Sequence, residues 1–241
     1  MSWYKVFGYP TGLGCLVAKR EAVARLNRPW FSGGTIRAVS VGMQWHTMAP
    51  DEAAFEDGTL NFLSIPDIAV GLDWIDNKIG KCVIETRVRC LTGFFIHRLQ
   101  QLRHSDGREM TKIYGPTNMK LRGGTVCFNF IDAEGTIVDE RLVALESAAV
   151  GISLRTGCFC NPGAGEDAFR LNKKKLLRLL WSKTNSIDEY IELIGLPSAG
   201  AVRVSFGLAS TVGDLDKFFA FAECYKDRVA TTHSLAPRKQ C

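Results

Sequence analysis

The chain has 241 residues, 46% of them apolar and 23% charged, and 30 Lys and Arg against 25 Asp and Glu give a net charge of +5. That apolar content excludes a disordered chain, and the length admits one large domain or two small ones. No apolar run approaches the roughly 18 residues that cross a bilayer, and the basic excess lacks the aromatic interleaving of a nucleic-acid binder. The cluster Lys173, Lys174, Lys175 and Arg178 reads as a solvated helix face. Of the eight cysteines only Cys158 and Cys160 lie close together, and the four histidines are scattered, so no metal-ligand spacing is present. The N-terminus carries no signal-peptide pattern. Reduced thiols in a cytoplasmic protein are the expectation.

In chain order, two short apolar runs, 3–7 and 13–18, flank the turn-rich segment Gly8-Tyr9-Pro10-Thr11-Gly12 and read as a strand hairpin. Trp3, Lys5 and Phe7 then share one face. A helix is expected over 20–27, broken by Pro29 to Thr35, and an apolar helix over about 62–75 follows an acidic stretch. The spacing of Val83, Val88, Leu91, Phe95, Leu99 and Leu102 predicts a long amphipathic helix over 81–103. Strands near 111–115 and 124–131, a turn at Asp132–Gly135 with another short strand, and a helix over 139–150 come next. A strand at 152–154 runs into the loop Arg155-Thr156-Gly157-Cys158-Phe159-Cys160-Asn161-Pro162-Gly163. Helical segments at 165–180 and 186–194, a strand at 201–206 and a helix at 212–227 complete the pattern. This order predicts an α+β unit with helices on a small sheet. Residues 229–241 read as a flexible tail.

Three residues could carry chemistry on their own account. Lys5 is either a surface lysine or, in a dry setting, an imine-forming nucleophile. Cys160 follows Arg155 by five residues, in a Gly- and Pro-bounded loop before a predicted helix start, a setting that favours a reactive thiolate. Cys158 either packs or resolves a disulfide with Cys160. Arg203, on the apolar strand Ala201–Phe206, needs a partner, which is either an internal carboxylate or the carboxylate of a ligand. Ser32-Gly33-Gly34-Thr35 is either a plain loop or a phosphate cradle.

Taken together, the segments Ser2–Gly14, Phe31–Thr35, Phe55–Thr59, Arg155–Gly163 and Gly200–Gly207 resemble, in order, those of class V aminotransferase-type enzymes. More narrowly, they are similar to the cysteine-desulfurase-like N-terminal domain of molybdenum cofactor sulfurases, over about residues 2–225. The resemblance implies part of a fold-type-I pyridoxal phosphate-dependent transferase, α/β and α+β in class. Residues 1–65 would be a remnant of the large cofactor domain, and 66–228 the small C-terminal domain. It implies that Lys5 forms the internal imine with pyridoxal phosphate and that Cys160 takes sulfur from L-cysteine as a persulfide. Arg203, supported by Arg155, would grip the substrate carboxylate. Ser32 and Gly33 would approach the cofactor phosphate across a homodimer, and the molybdenum cofactor or its carrier domain would accept the sulfur. In the family, the ring that stacks on the cofactor and the carboxylate facing its pyridine nitrogen precede the lysine. Only four residues precede Lys5 here, so a part missing ahead of Met1 is expected. It should leave an apolar sheet edge over 3–18 exposed. Three other readings stand beside this one: a non-catalytic or partial module of such an enzyme, a cofactor-free thiol carrier using Cys158 and Cys160, and a true aminotransferase.

Overall fold

The computed structural model describes residues 1–174, 176–177, 186–196, 198, 200–230, 235 and 237–238. Packing divides the chain into two units, Met1–Lys81 and Cys82–Cys241. The 66–81 segment falls in the first of these packing units, where it contacts the N-terminus. A Cβ placed on Gly71 would lie 2.7 Å from the Phe7 ring.

The first unit differs from expectation at its start. The segment read as a strand is one helical turn, α1 (Tyr4–Phe7), closed by left-handed Gly8, whose N–H donates to the Tyr4 carbonyl at 2.8 Å. The aromatic spacing explains the difference: Trp3 and Phe7 are four apart, and a helical turn stacks their rings with centroids 5.9 Å apart. Of the expected hairpin only the isolated bridge between Ser2 and Gly14 forms, so no sheet edge runs over 3–18. Then come α2 (Arg20–Val23) and the hairpin β1 (Ile36–Ser40) and β2 (Trp45–Met48). A 3-10 turn over Asp51–Phe55 leads to α3 (Ile65–Asp73), which runs on into a π-helical turn, Trp74–Ile79. The hairpin left no trace in the sequence pattern because it buries neither face: Val39, Val41, Met43 and Trp45 are all exposed. Among the aliphatic and aromatic residues of this unit only Pro10 and Ala54 are buried.

The second unit follows the predicted order closely. It comprises α4 (Lys81–Gln101, beginning at the boundary), β3 (Thr111–Tyr114), β4 (Thr125–Phe130) and α5 (Glu140–Ala149). Next are β5 (Arg155–Gly157), α6 (Pro162–Ala168), α7 (Ile187–Ile194), β6 (Ala201–Ser205) and α8 (Val212–Ala222). The strands form an antiparallel sheet in the order β3-β4-β6-β5. The strand expected at 152–154 lies three residues later, because Ile152 and Leu154 pack against the core instead. The strand expected after Asp132–Gly135 is a single bridge, Ile131 with Ile137. Within the helical segment expected over 165–180, α6 runs from Pro162 to Ala168 and residues 173–174 and 176–177 are again helical, while 175 and 178–180 lie outside the described residues.

Alternation along the strands sends Val126, Phe128, Phe130, Val202 and Val204 to one face of the sheet. There they meet Leu91, Phe95, Ile96 and Leu99 of α4 and Leu215, Phe218, Phe219 and Ala222 of α8. Fully buried Phe95 is the hub, with ring centroids of Phe128, Phe206, Phe218 and Phe219 between 5.0 and 6.2 Å away. Each such burial is worth about 1.5–3 kcal/mol over exposure. A reciprocal capping box starts α8: the Asp214 N–H donates to the Thr211 hydroxyl, and the Asp214 carboxylate accepts from the Thr211 N–H. Among the described residues no helix is long and apolar enough to cross a membrane.

The segment read as a loose tail is tied down at Arg238. Its guanidinium, 8% exposed, reaches Asp139 at 2.8 Å, Glu140 at 3.2 Å and Asp188 at 2.6 Å. Burial pushes the Asp139 carboxyl up, but hydrogen bonds from Arg141 and the charges of Arg238 and Arg141 outweigh it and hold it below the ordinary range. A carboxylate held low in the folded state contributes stability above about pH 4, and that contribution fades as acid protonates it. Replacing Arg238→Ala strips a partner from buried carboxylates and should cost the second unit about 3–5 kcal/mol at neutral pH. Urea midpoints of the two proteins should differ accordingly, and the gap should narrow below about pH 4.

Candidate functional site

The residues singled out by sequence fall into two groups, one in each unit. In the second unit, strand register assembles one group. Cys127 of β4 lies opposite Tyr114 of β3 on one side and Arg203 of β6 on the other, and Arg203 lies opposite Arg155 of β5. Directly paired residues share a face, so Tyr114, Cys127, Arg203 and Arg155 form one row across the sheet, on the side away from the Phe95 core.

The loop after β5 folds back over this row. Gly157, at φ 108, and Gly200 touch backbone to backbone, and a Cβ on Gly200 would collide with the Gly157 peptide. Phe159 and Cys160 both sit at φ 56, a left-handed conformation that non-glycine residues adopt at a cost of about 1–3 kcal/mol each. The Asn161 side chain then accepts from the Ala164 N–H at 3.2 Å and starts α6. The turn swings the Phe159 ring under Arg203, with the guanidinium carbon 5.0 Å from the ring centroid. It leaves the Cys160 thiol free and exposed. Cys158 is disulfide-bonded, so Cys158 and Cys160 are not joined to each other, and the thiols are not all reduced as expected.

Between the row, the loop, α6 and α7 lies a cavity of about 560 Å³, in the range of small-ligand sites. Tyr114, Cys127, Phe159, Phe169, Tyr190 and Arg203 are among its walls. Arg203 makes no ion pair among the described residues, and its Nε is buried without a hydrogen-bond partner among them. The internal salt bridge is therefore not the partner that its strand demanded. Arg155 is exposed and contributes position in the row rather than cavity wall. Cys127, half-buried, was not singled out from the sequence; burial pushes its thiol up, with Arg203 and Arg122 opposing. Its signal was the alternation of Thr125–Phe130, in which Cys127 falls on the face opposite the three apolar residues.

In the first unit, Lys5 is exposed, with its Nζ 5.6 Å from the Tyr4 ring centroid. Ser32 and Gly33 belong to a turn built with the Phe55–Thr59 segment. The Ser32 hydroxyl donates to Asp57, Arg28 reaches the same carboxylate at 2.5 Å, and the Gly58 N–H donates to the Gly33 carbonyl at 2.8 Å. The hydrogen bonds from Ser32 and then Arg28 hold the Asp57 carboxyl low. Buried Thr35 closes the turn, accepting from the Ser32 N–H at 2.9 Å and donating to the Ser32 carbonyl at 2.8 Å. No hydrogen bond among the described residues joins Lys5 to this turn.

Pyridoxal phosphate needs an amine for its aldehyde and donors for its phosphate. The exposed primary amine of Lys5 fits the first requirement. The Ser32 turn meets the second only when its hydroxyl is released, since that hydroxyl is engaged with an anionic carboxylate.

Residues 1–218 match the model of the aminotransferase class-V family. The molybdenum cofactor sulfurase of Solanum lycopersicum is 38% identical over 223 residues, covering 92% of this chain and 27% of that protein. Molybdenum cofactor sulfurase 3 of Aedes aegypti is 34% identical over 237 residues, covering 93% of this chain and 31% of that protein. The chain thus spans about a third or less of these relatives. In fold it is similar to a cysteine desulfurase from Thermococcus onnurineus, with TM-score 0.61 and 24% identity over 90% of this chain and 44% of that one. It is likewise similar to the cysteine desulfurase CsdA of Escherichia coli, with TM-score 0.61 and 18% identity over 93% and 44%. On the match over residues 1–218, the chain belongs to the aminotransferase class-V family of pyridoxal phosphate-dependent enzymes.

Proposed function

We propose that this chain carries the sulfur-accepting half of an L-cysteine desulfurase of the molybdenum cofactor sulfurase type. The observation that supports it best is the Phe159–Arg203 contact, which ties the loop bearing an exposed free thiol to a cation without an ion pair among the described residues, at an apolar cavity. In this reading residues 1–65 belong to the cofactor domain and 66–228 to the small domain. Lys5 holds the cofactor, and Ser32 and Gly33 reach its phosphate, across a homodimer as in related enzymes. Bound there, pyridoxal phosphate supplies an electron sink for the substrate carbon.

The chain's own residues do the rest. Arg203, supported by Arg155, pairs with the carboxylate of L-cysteine and fixes its orientation. The Cys160 thiolate attacks the substrate sulfur: an S–S bond forms as the C–S bond breaks, and the bonding pair stays on carbon. The Lys5 amine, freed once the substrate's own amine displaces it, takes the substrate's Cα proton and delivers a proton to the carbon that lost sulfur, so alanine leaves and Cys160 keeps the sulfur as a persulfide. No external oxidant is required, because the substrate carbon is reduced from CH2–S to a methyl group as the two sulfurs are oxidised to the persulfide. The persulfide then passes to the molybdenum cofactor or its carrier, in a cytoplasmic setting.

Exposure and chemistry make a first prediction. At neutral pH iodoacetamide should label Cys160 well before Cys127, whose thiol is half-buried and pushed up, and peptide mass spectrometry would read the order. The second prediction tests the function itself. Chain incubated with pyridoxal phosphate should gain an imine absorption band that Lys5→Ala removes. With L-cysteine added, it should release alanine and carry one extra sulfur on Cys160. Cys160→Ser should lose the sulfur adduct entirely, and Arg203→Lys should raise KM for L-cysteine by about tenfold. Desulfuration at the native rate in Cys160→Ser, or no band that depends on Lys5, would overturn the assignment.

A further inference from the structure

The Arg203 cavity contains a second buried polar group without a hydrogen-bond partner among the described residues. The Tyr114 hydroxyl is buried and, like the Arg203 Nε, has no hydrogen-bond partner among the described residues. Two unpaired donors on the wall of one largely apolar cavity are costly unless a ligand answers them. We infer that Tyr114 is a ligand-binding residue of this cavity, its hydroxyl donating a hydrogen bond to the carboxylate that Arg203 pairs with. This rests on the reading of Arg203 as a carboxylate site and adds the group that fixes the carboxylate's second oxygen.

The geometry supports it from three sides. Tyr114 and Arg203 flank Cys127 in the same row, one on each neighbouring strand, so their Cα atoms are about two strand spacings, roughly 10 Å, apart. Cys127 between them is short, which leaves room for two long side chains to converge above it. The Tyr114 ring is held in place, with the Phe169 ring edge-on at 6.0 Å and the Lys112 Nζ 5.3 Å from its centroid. Burial pushes the phenol up to about 12, so it keeps its proton and serves as a donor at any physiological pH. The one carboxylate among the cavity residues, Glu166, acts on Tyr190, whose hydroxyl is pushed up by burial and by the Glu166 charge. An anion is therefore steered to the Arg203 end, with the apolar walls taking the ligand's body. The chemistry that fits is a carboxylate on a small body that carries no second anionic group.

Phenylacetate is a probe of that class. The full chain, with its tyrosines 13C-labelled at the phenol carbon, is titrated with phenylacetate and followed by NMR, the Tyr114 signal being assigned by its loss in Tyr114→Phe. The Tyr114 signal should shift along the same saturation curve that a calorimetric titration reports, a response that a purely structural tyrosine would not give. Tyr114→Phe, which keeps the ring and its contact with Phe169, should bind about tenfold more weakly, as expected for a hydrogen bond to a charged group. Arg203→Gln should abolish binding. If Tyr114→Phe binds as tightly as the native chain while Arg203→Gln does not bind, the role of Tyr114 is wrong and the carboxylate reading of Arg203 stands. If Arg203→Gln binds as well as the native chain, that reading falls and the inference with it. Saturation with no movement of the Tyr114 signal also overturns the inference, as does the absence of any binding to the native chain.

Discussion

The pairing of β4 with β6 is the constraint on which the second unit and its site both depend. One register sends Val126, Phe128, Val202 and Val204 into the core around Phe95 and, on the other face, sets Cys127 against Arg203. A slip of one residue would exchange the two faces, putting a guanidinium into an aromatic core and valines into the cavity. The core therefore enforces the site: the burial that stabilises one face of the sheet is what holds Tyr114, Cys127, Arg203 and Arg155 in a row on the other.

The loop bearing Cys160 is positioned by contacts of a different kind. Two glycines, Gly157 and Gly200, allow backbones to touch where side chains would keep them apart. Two consecutive left-handed residues then turn the chain so that Phe159 faces inward and Cys160 outward. The cation–π contact with Arg203 offsets part of that strain. A thiol presented on a strained, exposed turn is available to a substrate in a way that a core cysteine is not.

The first unit has another balance. It buries almost none of its aliphatic or aromatic residues, and its order comes from local turns and from the Ser32, Arg28 and Asp57 network. Hydrogen bonds of this kind hold a turn in shape, but they bury little apolar surface, and burial is what stabilises a fold. The second unit, with its closed aromatic core and its clamp at Arg238, has the stability that the first lacks.

Much of this was legible in the chain itself. The period of Leu91, Phe95 and Leu99, the alternation of β4 and β6, and the order of helices and strands from 81 to 227 follow from apolar spacing, because those elements each bury one face. The motifs around Lys5, Ser32, Cys160 and Arg203 pointed to the class-V family for a similar reason: close backbone approach and reactive side chains demand particular residues at particular places. Where no face is buried, spacing carries no signal: the apolar run at 3–7 reads as a strand but forms α1, and the β1–β2 hairpin has no pattern of its own. Tertiary structure alone decided that Cys127 and Tyr114 flank Arg203, that Phe159 supplies its contact, and that Arg238 clamps the C-terminal segment. Each of these joins residues far apart in the chain through strand register or a buried charge, and neither leaves a trace in local sequence.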